Sequence, residues 1–244
     1  MLENSSMSFK HGKLSDMIMK ELMSKILVGE YKPDDFLPTE EVLCKMYNVS
    51  RASVREAIKG LEERGFVERQ QGIGIKVINK SVEVASTSLR TMILRSNASQ
   101  MELLEVRKII ELQTAKLAAE RSEEKDLRLL KETIEIMNSK KTTDFQYVEN
   151  DLAFHMLVAK ASKNKILESI LKALKPLLKE AIELTLTNNS RPEITMNFHK
   201  KILKQIIDKN PEGAKKCMEQ HLDATEKMIK AALTMTTQIN NNPY

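Results

Sequence analysis

The sequence predicts a mainly α protein of two domains, an N-terminal winged helix-turn-helix and a C-terminal all-α antiparallel bundle of about seven helices. Three observations predict it. Within residues 36 to 78, two short helical patterns meet at the turn Tyr47-Asn48-Val49, and a Gly-broken pair of strand-like runs follows. Six of the seven glycines lie in the first 74 residues and Gly213 is the only later one, so composition shifts at a domain boundary. Beyond it, apolar residues recur at helical spacing almost without interruption, and no strand pattern or internal repeat appears. We expect domains over 1–78 and 89–236, a polar linker of small residues over 79–88, and a tail over 237–244.

After a short polar arm, Leu14, Met17, Ile18, Leu22 and Ile26 mark an amphipathic first helix ending near Gly29. Pro33 and Pro38 punctuate the turn into the second helix, which Thr39 caps. The third helix starts at Ser50, whose hydroxyl can satisfy an orphan backbone N–H of the first turn. Val54, Ala57, Ile58 and Leu61 recur at i, i+3, i+4 and i+7, so they share one buried face and leave Arg51, Arg55 and Lys59 pointing outward. Gly65 ends this helix, where a left-handed C′ residue suits glycine. Val67 and Arg69, then Ile73, Ile75 and Val77, alternate as half-buried strands do, with Gln71-Gly72 at the bend.

A basic helix beside a tight hairpin is the shape of a DNA reader, whose wing lies along a phosphate backbone or reaches into the minor groove. The same residues also fit a helical hairpin that merely packs, with Arg51 and Arg55 as solvated charges. Charge is distributed in favour of the first reading. The chain carries +5 overall with a pI near 9.0. Residues 48 to 80 hold seven Lys and Arg against four Asp and Glu, whereas residues 1 to 47 hold six against eight. At 41% apolar and 30% charged, the composition excludes a disordered chain, and no run approaches the roughly 18 apolar residues of a membrane span. Cys44 and Cys217 stand far apart without a Cys-x-x-Cys, which argues against a disulfide framework or zinc ribbon and for a reducing compartment. The N-terminus lacks the apolar core of a signal peptide, so we expect a cytoplasmic protein.

Helical pieces in the second domain are expected near 82–95, 99–121, 123–140, 143–161, 164–187, 192–209 and 211–236. Ser99 with Glu102 makes a capping box, Pro192 and Pro211 sit where helices start, and Pro176 predicts a kink. His155, His199 and His221 all fall inside these helices. Asp151 lies one turn before His155, His199 shares a face with Ile202, Leu203 and Ile206, and His221 shares one with Met218, Ala224 and Met228. Imidazoles on apolar faces must find partners inside the bundle: either they are hydrogen-bonded core residues, or neutral rings and a carboxylate share a divalent metal.

The residues of the first domain resemble the GntR family of bacterial transcription repressors. The likeness rests on Ile26, Gly29, Pro33, Leu37-Pro38-Thr39-Glu40, Val49-Ser50-Arg51, Val54-Arg55-Glu56-Ala57-Ile58, Leu61-Glu62, Gly65-Phe66-Val67, Gly72 and Gly74, over about 65 residues. Asp34 stands where the family usually has Gly, Thr39 replaces Ser, and Glu41 falls where the family commonly has a DNA-contacting Arg, which argues against the full usual set of phosphate contacts. Carried onto this chain, the resemblance implies a DNA-contacting set of Thr39, Ser50, Arg51, Ala52, Ser53, Arg55, Gln71 and Gly72.

Over about 135 further residues, LLEVRKIIE at 103–111, DLAFH at 151–155, a His 44 positions on and His221-Leu222 another 22 on resemble the FCD domain of the FadR branch. In many such domains an Asp and three His bind a metal, and Asp151, His155, His199 and His221 fill those positions. Zinc is the first choice, with nickel, manganese or iron as the other ions considered. This ligand set points to the branch that senses small organic or sugar acids rather than acyl-CoA, since an anionic oxygen donor would fill the open coordination positions. Arg107 matches the family Arg near the effector pocket and could hold a carboxylate bidentately; on spacing alone it pairs equally well with Glu111 at i+4. The whole implies a homodimeric, ligand-responsive repressor of a palindromic operator in double-stranded DNA, with no membrane partner and no enzymatic activity. The alternatives are a regulator for which the ion itself is the signal, and a metal-dependent hydrolase joined to a DNA-binding domain.

Overall fold

In a computed structural model, residues 3–186 and 193–241 are described, with side chains over 14–186 and 193–234. The chain divides into two compact units, Met1–Thr87 and Ser88–Tyr244.

The first unit contains α1 (Glu3–Leu27), β1 (Phe36–Leu37), α2 (Glu40–Tyr47), α3 (Arg51–Glu63), β2 (Val67–Gln70) and β3 (Gly74–Val77). Its core gathers Ile18 and Leu22 of α1, Leu43 of α2, Val54, Ile58 and Leu61 of α3, and Val67 and Val77 of the sheet, all buried. The local causes match the sequence. Thr39 accepts from the Val42 N–H, Ser50 accepts from the Ser53 N–H, and left-handed Asn48 closes α2 by donating to the Cys44 carbonyl. The three strands form an antiparallel sheet in the order β1-β3-β2, with Leu37 opposite Ile75 and Val67 opposite Val77.

Three expectations change here. The N-terminal arm is helical from Glu3, and the hairpin gains a third strand, β1, too short at two residues for any alternation to register. Ile73 is not a strand residue: it sits in the turn, its N–H bonded to the Gln70 carbonyl, and is 71% exposed.

The stretch expected as a linker over 79–88 is mostly helix. Here α4 runs Ser81–Ser96, started by the Val84 N–H bonding to the Lys80 carbonyl, and no Gly or Pro between Gly74 and Pro176 interrupts it. The second unit continues with α5 (Gln100–Arg121), α6 (Glu124–Asn138), α7 (Asp144–Ala161), α8 (Lys165–Thr185), α9 (Glu193–Ile207) and α10 (Pro211–Asn241). Ser99 and Glu102 form the expected capping box, and Thr143 with Gln146 forms another. One core joins α5, α6, α7, α9 and α10 around Leu130, Phe154, Ile202 and Leu222; another joins α5, α7 and α8 around Ile110, Leu152, Leu171 and Leu178. Helix α8 runs through Pro176. Helix α10 reaches Asn241, so most of the expected tail over 237–244 is helical, while Pro192 and residues 242–244 lie outside the described residues. Among the described residues no helix is long and apolar enough to cross a membrane.

Candidate nucleic-acid interface and metal centre

Arg51, Ala52 and Arg55 open α3 on its solvent face, and Thr39, Ser50, Gln71 and Gly72 are also exposed. Ser53 is not. At 2% exposure its hydroxyl lies 3.1 Å from that of Ser50, so it secures the helix start instead of meeting a duplex. Arg51 makes no ion pair among the described residues. Arg55 donates through Nε to Glu40 Oε2 at 2.9 Å, and Arg69 of β2 donates to the Arg55 carbonyl at 3.1 Å. The wing bend carries Gly72 at φ 75°, a left-handed conformation that glycine adopts without strain.

In the second unit α5 contributes Arg107 and Glu111, α7 contributes Asp151 and His155, α9 contributes His199 and α10 contributes His221. All six are buried. The three His rings offer nitrogens within 4.8 Å of one another. His221 Nε2 lies 3.3 Å from His155 Nε2, Asp151 Oδ1 lies 3.2 Å from His155 Nε2, and His199 Nε2 lies 3.7 Å from Asp151 Oδ1. Two nitrogens each about 2.1 Å from one tetrahedral ion stand about 3.4 Å apart, so this spacing fits a shared cation. Both ring nitrogens of His199, Nδ1 of His221 and Nη1 of Arg107 are buried without a hydrogen-bond partner. Such orphans are rare in folded proteins and call for a ligand, water or ion.

Electrostatics divide the rings. Burial pushes the His199 pKa down to about 4 and that of His221 well below its ordinary value, so both are neutral near pH 7 and present lone pairs. Burial works the same way on His155, but the carboxylates of Glu111 and Asp151 outweigh it and lift the pKa to about 9. Burial would raise the pKa of Asp151, yet His199, His155 and Arg107 hold it low. Glu111 reaches His155 Nδ1 with one oxygen and Arg107 Nε with the other, at 2.7 Å for the latter. That pairing turns Nε2 of His155 toward the other donors, as a carboxylate behind a metal-binding imidazole does.

Arg107 makes the i+4 pair that its spacing offered. Its Nε pairs with Glu111 while Nη1 stays unpartnered beside a small cavity, lined also by Asp151, His155, His221, Thr185, Thr195 and Thr225. The cavity volume is about 10 Å³, about what one water fills.

Residues 14–77 match the family described as bacterial regulatory proteins, gntR family, and residues 102–224 match the FCD domain. The chain is 30% identical over 206 residues to the HTH-type transcriptional regulator LutR of Bacillus subtilis, covering 82% of this chain and 94% of that protein. It is 32% identical over 238 residues to the Exu regulon transcriptional regulator of Escherichia coli, covering 95% of this chain and 90% of that one. This chain belongs to the GntR family. The solved structure of Streptococcus agalactiae GntR superposes with a TM-score of 0.68 at 23% identity, covering 87% of this chain and 99% of that one, which supports the fold. The protein is therefore a transcription regulator of the GntR family with an FCD domain, and its matched domains and relatives are regulators, not enzymes.

Sequence reasoning missed several residues of this GntR protein's sites. Glu111 was visible only as a partner for Arg107, because its contact with His155 crosses between helices. Thr195 and Thr225 each stand four residues from a predicted ligand, His199 and His221, so helical spacing does hold that signal. Glu40 and Arg69 carried no signal of joining the DNA face, since that contact links α2, α3 and β2.

Proposed function

We propose that this GntR regulator is a homodimeric repressor whose operator affinity is controlled by a small organic or sugar acid bound at a divalent ion, zinc first, that Asp151, His155, His199 and His221 hold. The acid completes the ion's coordination and is held by Arg107. The observation that carries this reading is the convergence of four buried donors with His199 left unpartnered at both ring nitrogens. An ion bound there supplies an electrophilic centre for an anionic oxygen. The side chains do the rest: Glu111 orients His155, and Arg107 offers Nη1 to a carboxylate. On the DNA side, Arg51 and Arg55 read bases or phosphates from α3, with Thr39, Ser50, Ala52, Gln71 and Gly72, each exposed, as further contacts. Release by the acid requires that it bind more tightly to an arrangement of the dimer that cannot hold the operator than to the DNA-competent one.

One observation favours a second reading, in which the ion itself is the signal: the cavity has room for an ion or a water but not for an organic acid. One experiment separates them. Wild-type protein and His199→Ala are analysed for bound metal, then titrated against a duplex selected from a randomised pool, with and without zinc and a panel of small carboxylic acids. The expected result is about one ion per wild-type chain, a large loss in the variant, and operator release that needs an acid. Release that follows zinc alone supports the second reading, and equal metal in both proteins overturns the site.

A further inference from the structure

We propose that Glu40 is a positioning residue for sequence readout, holding Arg55 so that its terminal nitrogens face a base. The inference rests on Arg55 as a base reader, as given under the proposed function. Glu40 is the first residue of α2, fixed by the Thr39 cap just before it. Its Oε2 accepts from Arg55 Nε at 2.9 Å, which occupies one edge of the guanidinium and leaves Nη1 and Nη2. That terminal pair can engage O6 and N7 of a guanine together. The other oxygen, Oε1, lies 3.7 Å from Arg69 Nη2, and the same Nη2 donates to the Arg55 backbone carbonyl at 3.1 Å. Arg69 is anchored in turn by Glu62, whose Oε1 accepts from the Arg69 N–H at 3.0 Å while Oε2 lies 3.5 Å from Arg69 Nε. Two carboxylates and two guanidiniums thus tie α2, α3 and the wing strand together.

The charge arithmetic says what this cluster is for. Two negative and two positive groups sum to zero, so the cluster adds nothing to phosphate attraction, whereas Arg51 keeps its charge uncompensated. A carboxylate on a surface that approaches phosphates opposes binding to every sequence equally. Glu40 therefore acts on direction: an arginine already held at Nε has fewer orientations to lose on meeting a base, and fewer wrong bases it can satisfy.

The test measures affinity of the full chain for its pool-selected duplex, for each single-base variant of it, and for an unrelated duplex at fixed salt. Glu40→Gln keeps the shape and removes the charge. Discrimination at the position read by Arg55 should fall about tenfold, with the unrelated duplex bound as well as before or better. In an Arg55→Ala background, Glu40→Gln should change discrimination no further. Unchanged discrimination in Glu40→Gln overturns the proposal, as does a uniform loss across all duplexes with a lowered melting temperature, the mark of a merely structural role. Wild-type discrimination in Arg55→Ala overturns the base-reader assignment and this inference with it; loss there beside an unaffected Glu40→Gln overturns this inference alone.

Discussion

Asp126 sits buried in the first turn of α6, accepting from the Glu123 N–H at 2.9 Å and pairing with Lys163 across the bundle. Burial alone would raise its pKa, but Lys163 and the Glu123 N–H outweigh burial and hold it below its ordinary value. A folded value below the unfolded one, about 3.9, means that the stabilisation is present above that pH and is lost as pH falls through the folded value. Asp126→Asn should lower stability by about 1 to 3 kcal/mol at pH 7, with the gap closing in acid. Urea unfolding of both proteins at pH 7 and pH 3 checks this; a gap independent of pH would assign the effect to the shape of the cap, not its charge. Legibility at this scale depended on whether partners share a helix. Asp151 and His155 could be read from i, i+4 spacing, whereas the Lys163 partner of Asp126 comes from the turn between α7 and α8 and the Glu111 partner of His155 from another helix. Ser53 was misread as a surface contact although its spacing to Ala57 and Leu61 puts it on the buried stripe of α3.

Gly65 links three elements of the first unit. It closes α3 at φ 72°, and a Cβ there would stand 2.7 Å from the carbonyl carbon and oxygen of Lys80, just before α4. The Lys80 N–H donates to the Gly65 carbonyl and the Ile78 N–H to that of Phe66, both at 2.9 Å, so the end of β3 is stitched to the end of α3. Gly72 is a built-in control, since it has a similar φ of 75° with nothing within 4 Å of its Cβ position. Gly72→Ala should show conformational strain alone, about 1 kcal/mol, and Gly65→Ala clearly more because backbone must shift. Thermal unfolding of the two variants measures the difference; equal losses would mean that the close approach to Lys80 is not maintained in solution. The helix-ending role of Gly65 was legible, because a glycine after an amphipathic run marks a C′ position. Its contact with Lys80 was not; α4 was expected near 82–95, and its first turns fill the stretch also read as a linker, because small polar residues fit a helix as well as a loop when no Gly or Pro breaks them.

Across the whole molecule the two units hold different chemistry: the first carries the exposed arginines of α3, and the second carries every donor of the proposed metal centre. That division was legible in the glycine count and the regional charge, which needed no contact information. The convergence of α7, α9 and α10 on one point followed from the resemblance, not from periodicity, which places a histidine on a face without naming what it faces. A ligand that binds only the folded bundle stabilises it by mass action, about 2.7 kcal/mol when its free concentration is a hundred times its Kd. The unfolded chain scatters Asp151, His155, His199 and His221 over 71 positions and cannot hold the ion comparably. Zinc should therefore slow amide exchange in α7, α9 and α10 and leave the slowest amides of α1 to α3, whose unit supplies no donor, at their metal-free rates. Hydrogen exchange read segment by segment, with zinc and after chelation, checks both halves. Slowing spread evenly over the two units would mean that they unfold as one cooperative body, and no slowing in α7, α9 and α10 would mean that the four donors do not hold the ion together.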